Sequence, residues 1–179
     1  MSKPKRDWYF ITLHVFLVLL AGLVGWLSYQ NWQMQTQLNP PPPPQLEAGD
    51  EVQAVVAKAA DGSEQMVDFR GQKDTLLFIF NTSCPVCKDN QKNWKDVYRR
   101  ASERYNIVGI SLDPREVTEP YIQEFEIPYK VVFPNAQEFA TNFKISAIPT
   151  TIHIGKDGKV KHNTRGLLPE GYLDELSMR

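Results

Sequence analysis

The feature that most constrains this chain is an uncharged, apolar segment near its N-terminus. Between Trp8 and Leu46 there is no Asp, Glu, Lys or Arg, and the part from Trp8 to Tyr29 is dominated by Phe, Leu, Val, Ile, Ala and Gly. A helix of these 22 residues is about 33 Å long, enough to cross the roughly 30 Å hydrocarbon core of a bilayer. We therefore predict a single transmembrane anchor over residues 8–30.

The charges around this segment predict its orientation. Lys3, Lys5 and Arg6 precede it, and no basic residue follows until Lys58. Positive charge is enriched on the cytoplasmic side of membrane segments, so we expect residues 1–7 in the cytoplasm and the rest of the chain on the far side. A cleaved signal peptide is the alternative, but it needs a shorter apolar region and a small-x-small cleavage site, which the sequence after Gly25 does not offer.

Residues 31–46 predict a linker, because the segment is polar and then carries five consecutive prolines, Pro40 to Pro44. Such a run holds polyproline II geometry at about 3.1 Å per residue, which gives a stiff spacer of roughly 16 Å. A ligand for an SH3 or WW domain is the other interpretation of a proline run. We favour the spacer, which holds a folded domain away from the bilayer.

Residues 47–179 predict one α/β domain, since strand and helix patterns alternate along them. The apolar run Leu76–Phe80 has the length of a buried central strand. Apolar residues then recur at intervals of three and four from Cys87 to Tyr105, which is typical of an amphipathic helix. Further strands are predicted at 52–56, 64–67, 107–112, 130–133, 150–154 and 159–162, and further helices at 118–125, 136–143 and 169–177. This order predicts a mixed central sheet flanked by helices. The net charge of −1 gives no indication of a nucleic-acid partner.

The only two cysteines, Cys84 and Cys87, stand three positions apart between the predicted buried strand and the long helix. A helix N-terminus stabilises a thiolate through its free N–H groups and its dipole, and Pro85 suits the first turn. We predict Cys84 as the attacking thiolate, which forms a mixed disulfide, and Cys87 as the resolving thiol. The redox-active disulfide is then the only redox group needed, with no other cofactor.

Three other roles for the cysteine pair remain open. A structural disulfide across so short a loop would stabilise the fold little, and two unrelated buried cysteines are a further possibility. Half of a zinc site needs two more ligands. The spacing of His153 and His162 does not match a zinc pattern, so we predict no metal and expect both on the surface of a hairpin.

Ile148-Pro149-Thr150 precedes the predicted hairpin strand and forms a second notable motif. A proline entering a strand can be an ordinary edge residue. Paired with a Cys-x-x-Cys motif on this strand–helix layout, it looks like a cis-proline, an isomer found in only about 5–6% of X–Pro bonds. We expect Ile148, Pro149 and Thr150, with Pro85 and Val86, to form the substrate-binding surface beside the dithiol.

These motifs resemble those of the thioredoxin superfamily, and most of all its membrane-anchored TlpA-like and ResA-like branch. The resemblance covers roughly residues 47–179 and rests on Phe80–Asn90, the Ile148-Pro149-Thr150 motif, the turn Gly155–Gly158 and the segment Gly166–Gly171. It implies a thioredoxin-like fold.

The resemblance also implies a function, that of a thiol:disulfide oxidoreductase of the bacterial cell envelope. Such a protein reduces disulfides in envelope proteins, apocytochrome c among them, and is recharged by an integral-membrane electron donor. It implies a single-pass protein of the inner membrane with its catalytic domain in the periplasm.

The chain departs from the family pattern at three positions. Ser83 stands where thioredoxins carry Trp, Asn90 where the ResA-like branch carries Glu, and Phe78 where thioredoxin carries a buried Asp. The usual carboxylate for moving the proton of the resolving cysteine is therefore missing. Asp89 is next to the expected position, but we expect it on a solvated helix face.

Two rival functions remain open. A redoxin- or peroxiredoxin-like thiol peroxidase is one, although Asn81 and Leu77 occupy the places of that family's Thr and Pro. The other is an SCO-like metal carrier, but those proteins place three residues between their cysteines and this chain places two.

Overall fold

The computed structural model describes residues 5–38, 43–59 and 61–177. The chain divides into two compact units, Met1–Pro42 and Pro43–Arg179. The first unit holds one helix, α1 (Lys5–Leu38), of 34 residues, which corresponds to about 51 Å. Within the described residues, α1 is the only helix long and apolar enough to cross a membrane.

Helix α1 continues beyond the predicted anchor. Residues 31–38, which we assigned to the linker, are helical, because Gln, Met and Leu favour a helix and nothing before Asn39 breaks it. The prolines Pro40, Pro41 and Pro42 of the predicted spacer lie outside the described residues. His14 bonds within the helix, with its Nδ1 2.7 Å from the carbonyl oxygen of Phe10.

The second unit alternates strands and helices. Its elements are β1 (Val55–Lys58), β2 (Glu64–Val67), β3 (Thr75–Phe80), α2 (Pro85–Ala101), β4 (Asn106–Ser111), α3 (Arg115–Glu124), β5 (Lys130–Pro134), α4 (Ala136–Asn142), β6 (Thr150–Ile154), β7 (Val160–Arg165) and α5 (Tyr172–Ser177). The strands form one sheet in the order β2-β1-β5-β4-β3-β6-β7.

The sheet is mixed, as predicted. Strand β4 runs parallel to β3 and β5, while β6 is antiparallel to β3 and β7. Strands β1 and β2 form an antiparallel hairpin attached to β5. Because β3 and β4 are parallel neighbours, the loops that follow them leave the sheet at the same edge. The loop after β3 leads to Cys84 at the start of α2.

Strand β3 is buried on both faces and separates two apolar cores. Its side chains alternate, so Leu76, Phe78 and Phe80 pack on the same side as α2. Leu77 and Ile79 pack on the other side of the sheet. Their neighbours there include Phe139 of α4 and Phe143, the residue that follows α4. A continuous apolar strand of this kind fixes the position of the loop that follows it.

The predicted hairpin turn is confirmed, but the predicted surface position of one hairpin side chain, His153, is wrong. The N–H of Gly158 donates to the carbonyl oxygen of Gly155 at 2.8 Å. His153, however, is only 5% exposed, with Nε2 2.8 Å from Asp74 Oδ2, and His162 is half-buried. The expectation of a surface position fails for His153 because β6 lies between β3 and β7 and is buried along its whole length.

Candidate redox site

Cys84 caps the N-terminus of α2, as the sequence predicts. The chain leaves β3 at Phe80 and crosses three residues, and Cys84 then adopts an extended backbone conformation with φ −81° and ψ 114°. Pro85 occupies the first helical turn, where a missing N–H costs nothing. The strand-to-helix junction therefore places the first sulfur at the positive end of the helix dipole.

Two backbone groups of the described residues lie within hydrogen-bonding range of the Cys84 sulfur. The backbone N–H of Cys87 donates to Cys84 Sγ at 3.2 Å, and Cys84 Sγ lies 3.9 Å from the carbonyl oxygen of Ile148. Cys84 is half-buried, so a reaction partner can approach it. The Cys84 sulfur thus accepts a hydrogen bond from one of the backbone N–H groups at the N-terminus of α2.

Cys87 lies one turn further along α2 and is fully buried. Burial raises the pKa of the Cys87 thiol to about 12, assisted by the hydrogen bond with Cys84 and by the charges of Cys84 and Asp113. A backbone hydrogen bond from Asn81 acts in the opposite direction. Both cysteines are free thiols in this structure, which is the reduced state of the pair.

The Ile148-Pro149-Thr150 motif lies beside Cys84, and the Ile148–Pro149 peptide bond is cis. Ile148 is half-buried, while Pro149 and Thr150 are buried. The N–H of Gly166 donates to the carbonyl oxygen of Pro149 at 2.8 Å, and Thr150 Oγ1 donates to that of Ala147 at 2.7 Å. The side chain of Thr150 therefore supports its own loop, and the Ile148 carbonyl oxygen lies next to Cys84 Sγ.

Pro85 and Val86, the two residues between the cysteines, are exposed. The Val86 side chain is 41% exposed although it is apolar. Together with half-buried Ile148 they offer an apolar surface next to the accessible sulfur.

At the positions where the chain departs from the family pattern, no side chain carries a carboxylate. Phe78 is buried and stacks on Trp94, with ring centroids 5.1 Å apart. Asn90 is also buried, and its Oδ1 accepts a hydrogen bond from the N–H of Leu168 at 2.9 Å. Asp89 is exposed on α2, as expected.

One acidic residue near the pair was missed by the sequence analysis. Asp113 follows β4, and its Oδ2 accepts hydrogen bonds from the N–H of Thr82 at 2.6 Å and from Thr82 Oγ1 at 2.7 Å. The available signal was a carboxylate just beyond the strand that runs parallel to β3. Loops at the carboxyl ends of parallel strands converge on functional sites.

The structure offers no metal centre within residues 5–38, 43–59 and 61–177. Across these ranges, no three His, Cys, Asp or Glu side chains are grouped so that they could hold an ion. In the described part of the chain, Cys84 and Cys87 therefore have no further side chains grouped with them that could complete a metal site.

Sequence comparisons agree with the predicted enzyme class. The model of the AhpC/TSA family matches residues 48–163. ResA, a thiol-disulfide oxidoreductase of Bacillus cereus, is 23% identical over 164 residues, which cover 90% of each chain. ResA of Oceanobacillus iheyensis is 25% identical over 187 residues, covering 98% of this chain and 93% of that protein. The predicted enzyme class, a thioredoxin-like thiol:disulfide oxidoreductase, is confirmed at this level.

Solved structures show the same fold. The thioredoxin domain of a thiol-disulfide oxidoreductase from Bacteroides vulgatus aligns with a TM-score of 0.67 at 18% identity, over 75% of this chain and 98% of that one. A peroxiredoxin-like protein from Aquifex aeolicus aligns with a TM-score of 0.62 at 16% identity, over 76% and 90%. The sheet is thus that of a thioredoxin-like fold, and with the match over residues 48–163 the chain belongs to the AhpC/TSA family.

Proposed function

We propose that the protein reduces disulfide bonds in other proteins of the bacterial cell envelope through the Cys84–Cys87 dithiol. The observation that carries this proposal is the contrast between the two sulfurs. Cys84 is accessible at the N-terminus of α2 and lies 3.9 Å from the Ile148 carbonyl oxygen, whereas Cys87 is fully buried behind it. One sulfur can meet a protein substrate, and the other is kept for the second step.

In the first step the Cys84 thiolate attacks one sulfur of the substrate disulfide. The substrate S–S bond breaks, a mixed disulfide with Cys84 forms, and the departing substrate sulfur leaves as a thiolate that takes up a proton. The exposed apolar surface of Val86 and the backbone of Ile148 support an extended substrate segment beside Cys84.

In the second step Cys87 loses its proton and attacks the Cys84 sulfur of the mixed disulfide. The second substrate sulfur leaves and is protonated, so the substrate gains two electrons and two protons while Cys84 and Cys87 become a disulfide. Another dithiol must then reduce this disulfide, and we propose an integral-membrane electron donor for that role.

The proposed location follows from α1. The apolar part of α1, from Trp8 onwards, is long enough to cross a bilayer and is preceded by three basic residues, which supports a single-pass inner-membrane protein with a cytoplasmic N-terminus. The catalytic domain would then lie in the periplasm, a compartment in which disulfides form and persist. Apocytochrome c is one proposed substrate there, since its cysteines must be reduced thiols before haem is attached to them.

Trapping of mixed disulfides tests the assignment of roles. Cys87→Ser removes the resolving thiol and is expected to accumulate covalent complexes with substrate proteins in envelope fractions, seen as bands that a reductant removes. Cys84→Ser keeps one cysteine and serves as the matched control, with almost no complexes expected. Equal trapping by the two variants would contradict the proposed roles.

The reduction potential of the pair tests the direction of electron flow. In the full chain, solubilised in detergent, a value near about −270 mV is that of a thioredoxin-like reductant, whereas about −120 mV is that of a disulfide-forming oxidant. An oxidising value would leave the dithiol chemistry in place but reverse the proposed direction.

A thiol peroxidase is the second candidate function. The family match and the similarity to the peroxiredoxin-like protein favour it, whereas Asn81 and Leu77 do not supply the Thr and Pro of a peroxidatic site. Consumption of hydrogen peroxide coupled to a dithiol reductant separates the two. We expect a rate close to background, and turnover that depends on Cys84 alone would favour the peroxidase.

A further inference from the structure

Residues 166–168, the bridging segment, follow β7 and are fastened to α2 by two asparagine side chains. Asn90 Oδ1 accepts a hydrogen bond from the N–H of Leu168 at 2.9 Å, and Asn93 Nδ2 donates to the carbonyl oxygen of Leu168 at 2.8 Å. The two asparagines stand three positions apart on α2, so they lie on the same side of the helix. Together they satisfy both backbone groups of Leu168, as a neighbouring strand would.

The Asn90 amide and the Leu168 backbone meet in the interior of the domain. Asn90 is fully buried and Leu168 is only 2% exposed. Among the described residues, Asn90 Nδ2 has no hydrogen-bond partner, and burial of an amide is unfavourable unless it is hydrogen-bonded. The bond from Oδ1 to Leu168 therefore accounts for a polar side chain at this buried position. Its loss would also leave the Leu168 N–H buried without an acceptor.

The other end of the bridging segment is fastened to the cis-proline loop. The N–H of Gly166 donates to the carbonyl oxygen of Pro149 at 2.8 Å, and the preceding residue, Arg165, pairs with Thr150 in the register of β6 and β7. Gly166 has φ +83°, a backbone conformation that glycine adopts without strain. The bridging segment therefore connects the cis-proline loop to α2 through hydrogen bonds at both of its ends.

These bonds close a ring of contacts that includes the reactive sulfur. The carbonyl oxygen of Ile148, the residue before Pro149, lies 3.9 Å from Cys84 Sγ. Cys84 in turn caps α2, the helix to which the bridging segment is bonded. The bridging segment is therefore a second connection between the cis-proline loop and α2, in addition to the contact at the sulfur. Loss of this second connection would free the loop to move relative to Cys84.

We propose that Asn90 and Asn93 are positioning residues of the redox site, which hold the cis-proline loop at a fixed separation from Cys84 so that a protein disulfide can be attacked. This proposal rests on the proposed function, in which an extended substrate segment lies beside Ile148. Within the bridging segment, Leu167 is 52% exposed, so the same bonds fix an apolar side chain that a protein partner can reach. A small disulfide needs only the sulfur, whereas a protein segment also needs the loop.

The first test is amide hydrogen exchange in the reduced full chain in detergent, which needs no substrate. Asn93→Leu keeps an uncharged side chain of similar size but removes the donor to Leu168. We expect the amides of residues 147–150 and 166–168 to exchange at least about tenfold faster in this variant, because one local opening releases both segments. Asn93→Gln, which keeps an amide donor, is the matched control and should stay close to the wild type. Faster exchange at 166–168 alone would overturn the proposal, because the cis-proline loop would then not depend on the asparagines.

The second test compares the rates at which the same reduced proteins reduce two disulfides in a single turnover. One probe is hydroxyethyl disulfide, and the other is a peptide in which an oxidised Cys-x-x-Cys-His motif lies within a longer extended sequence. We expect Asn93→Leu to reduce the peptide about tenfold more slowly, with its rate on hydroxyethyl disulfide within about twofold of the wild-type rate. Asn93→Gln should recover the peptide rate. An equal loss on both probes, or a wild-type peptide rate in Asn93→Leu, would overturn the proposal.

Asn90→Leu repeats both tests if Asn93→Leu does not fold, since it removes the acceptor for the Leu168 N–H and leaves Asn93 in place. The exchange result also separates this inference from the proposed function. Faster exchange at residues 147–150 in the asparagine variants, together with no trapping of substrates by Cys87→Ser, would contradict the proposed function alone. Normal trapping together with unchanged exchange would contradict this inference alone.

Discussion

The burial of Cys87 leads to a quantitative prediction about its reactivity. Its thiol pKa is raised from 9.0 to about 12, with burial as the largest cause. Because only the thiolate is nucleophilic, the ionised fraction at pH 8 falls from about one tenth to about one ten-thousandth, a reduction of about a thousandfold. The buried sulfur should therefore react with small alkylating reagents far more slowly than an ordinary cysteine.

The clean measurement uses Cys84→Ser, in which Cys87 is the only thiol. Losing Cys84 removes its hydrogen bond and its charge from Cys87, while burial, the largest cause of the raised pKa, stays. We expect iodoacetamide at pH 8 to modify Cys87 at least about a hundredfold more slowly than in an unfolded chain. Peptide mass spectrometry after timed quenching gives the rate.

The same variant in concentrated guanidinium provides the reference rate and controls for the reagent. A folded rate within about threefold of the unfolded one would show that Cys87 is neither buried nor shifted, and would refute the argument. In the reduced wild type, the same experiment should place the first alkyl group on Cys84, which is the more exposed sulfur.

Two further predictions concern the stability of the domain. Trp94 Nε1 donates to Thr151 Oγ1 at 2.9 Å inside the core, so Trp94→Phe leaves a buried hydroxyl without its donor and should cost about 1–3 kcal/mol in urea unfolding. Adding Thr151→Val should recover part of that loss, and simple additivity of the two changes would argue against the bond. Burial lowers the pKa of His153, so the folded protein binds a proton at this side chain less readily than the unfolded chain does. The free energy of unfolding therefore decreases as the pH falls below about 6.5, by at most about 1.4 kcal/mol per pH unit. His153→Gln, which keeps a donor for Asp74, should flatten the unfolding free energy between pH 7 and 5, and an unchanged slope would assign the effect to other groups.

The parts of the site that the sequence could predict are those set by local rules. Cys84 lies at a strand-to-helix junction, where an apolar run ends and a period of three and four begins. Pro85 in the first turn marks the helix start, and Gly158, with φ +82°, marks the hairpin turn. In each case a few neighbouring residues determine the backbone, so no knowledge of the sheet order is needed.

The parts that could not be predicted depend on strand order. His153 is buried because β6 is flanked by β3 and β7, and alternation along the hairpin alone cannot distinguish this strand from an edge strand. Asp113 accepts a hydrogen bond from Thr82, which is 31 residues away in the sequence. This contact forms only when β3 and β4 pair in parallel. The helical conformation of residues 31–38 was also not predicted, because these residues contain no helix-breaking residue and their polarity alone suggested a linker.

In the mechanism proposed above, the environment of Cys87 imposes an order on the two chemical steps. In the free dithiol, burial raises the pKa of Cys87 the most, and the hydrogen bond and charge of Cys84 raise it further, together with the charge of Asp113. Once Cys84 is joined to a substrate sulfur, it carries no thiolate charge, so its contributions are lost while those of burial and Asp113 stay. Formation of the mixed disulfide therefore makes the Cys87 proton easier to remove at the moment when Cys87 must attack. In the proposed mechanism, Cys87 is therefore protonated and unreactive before a substrate binds, and the first step activates it.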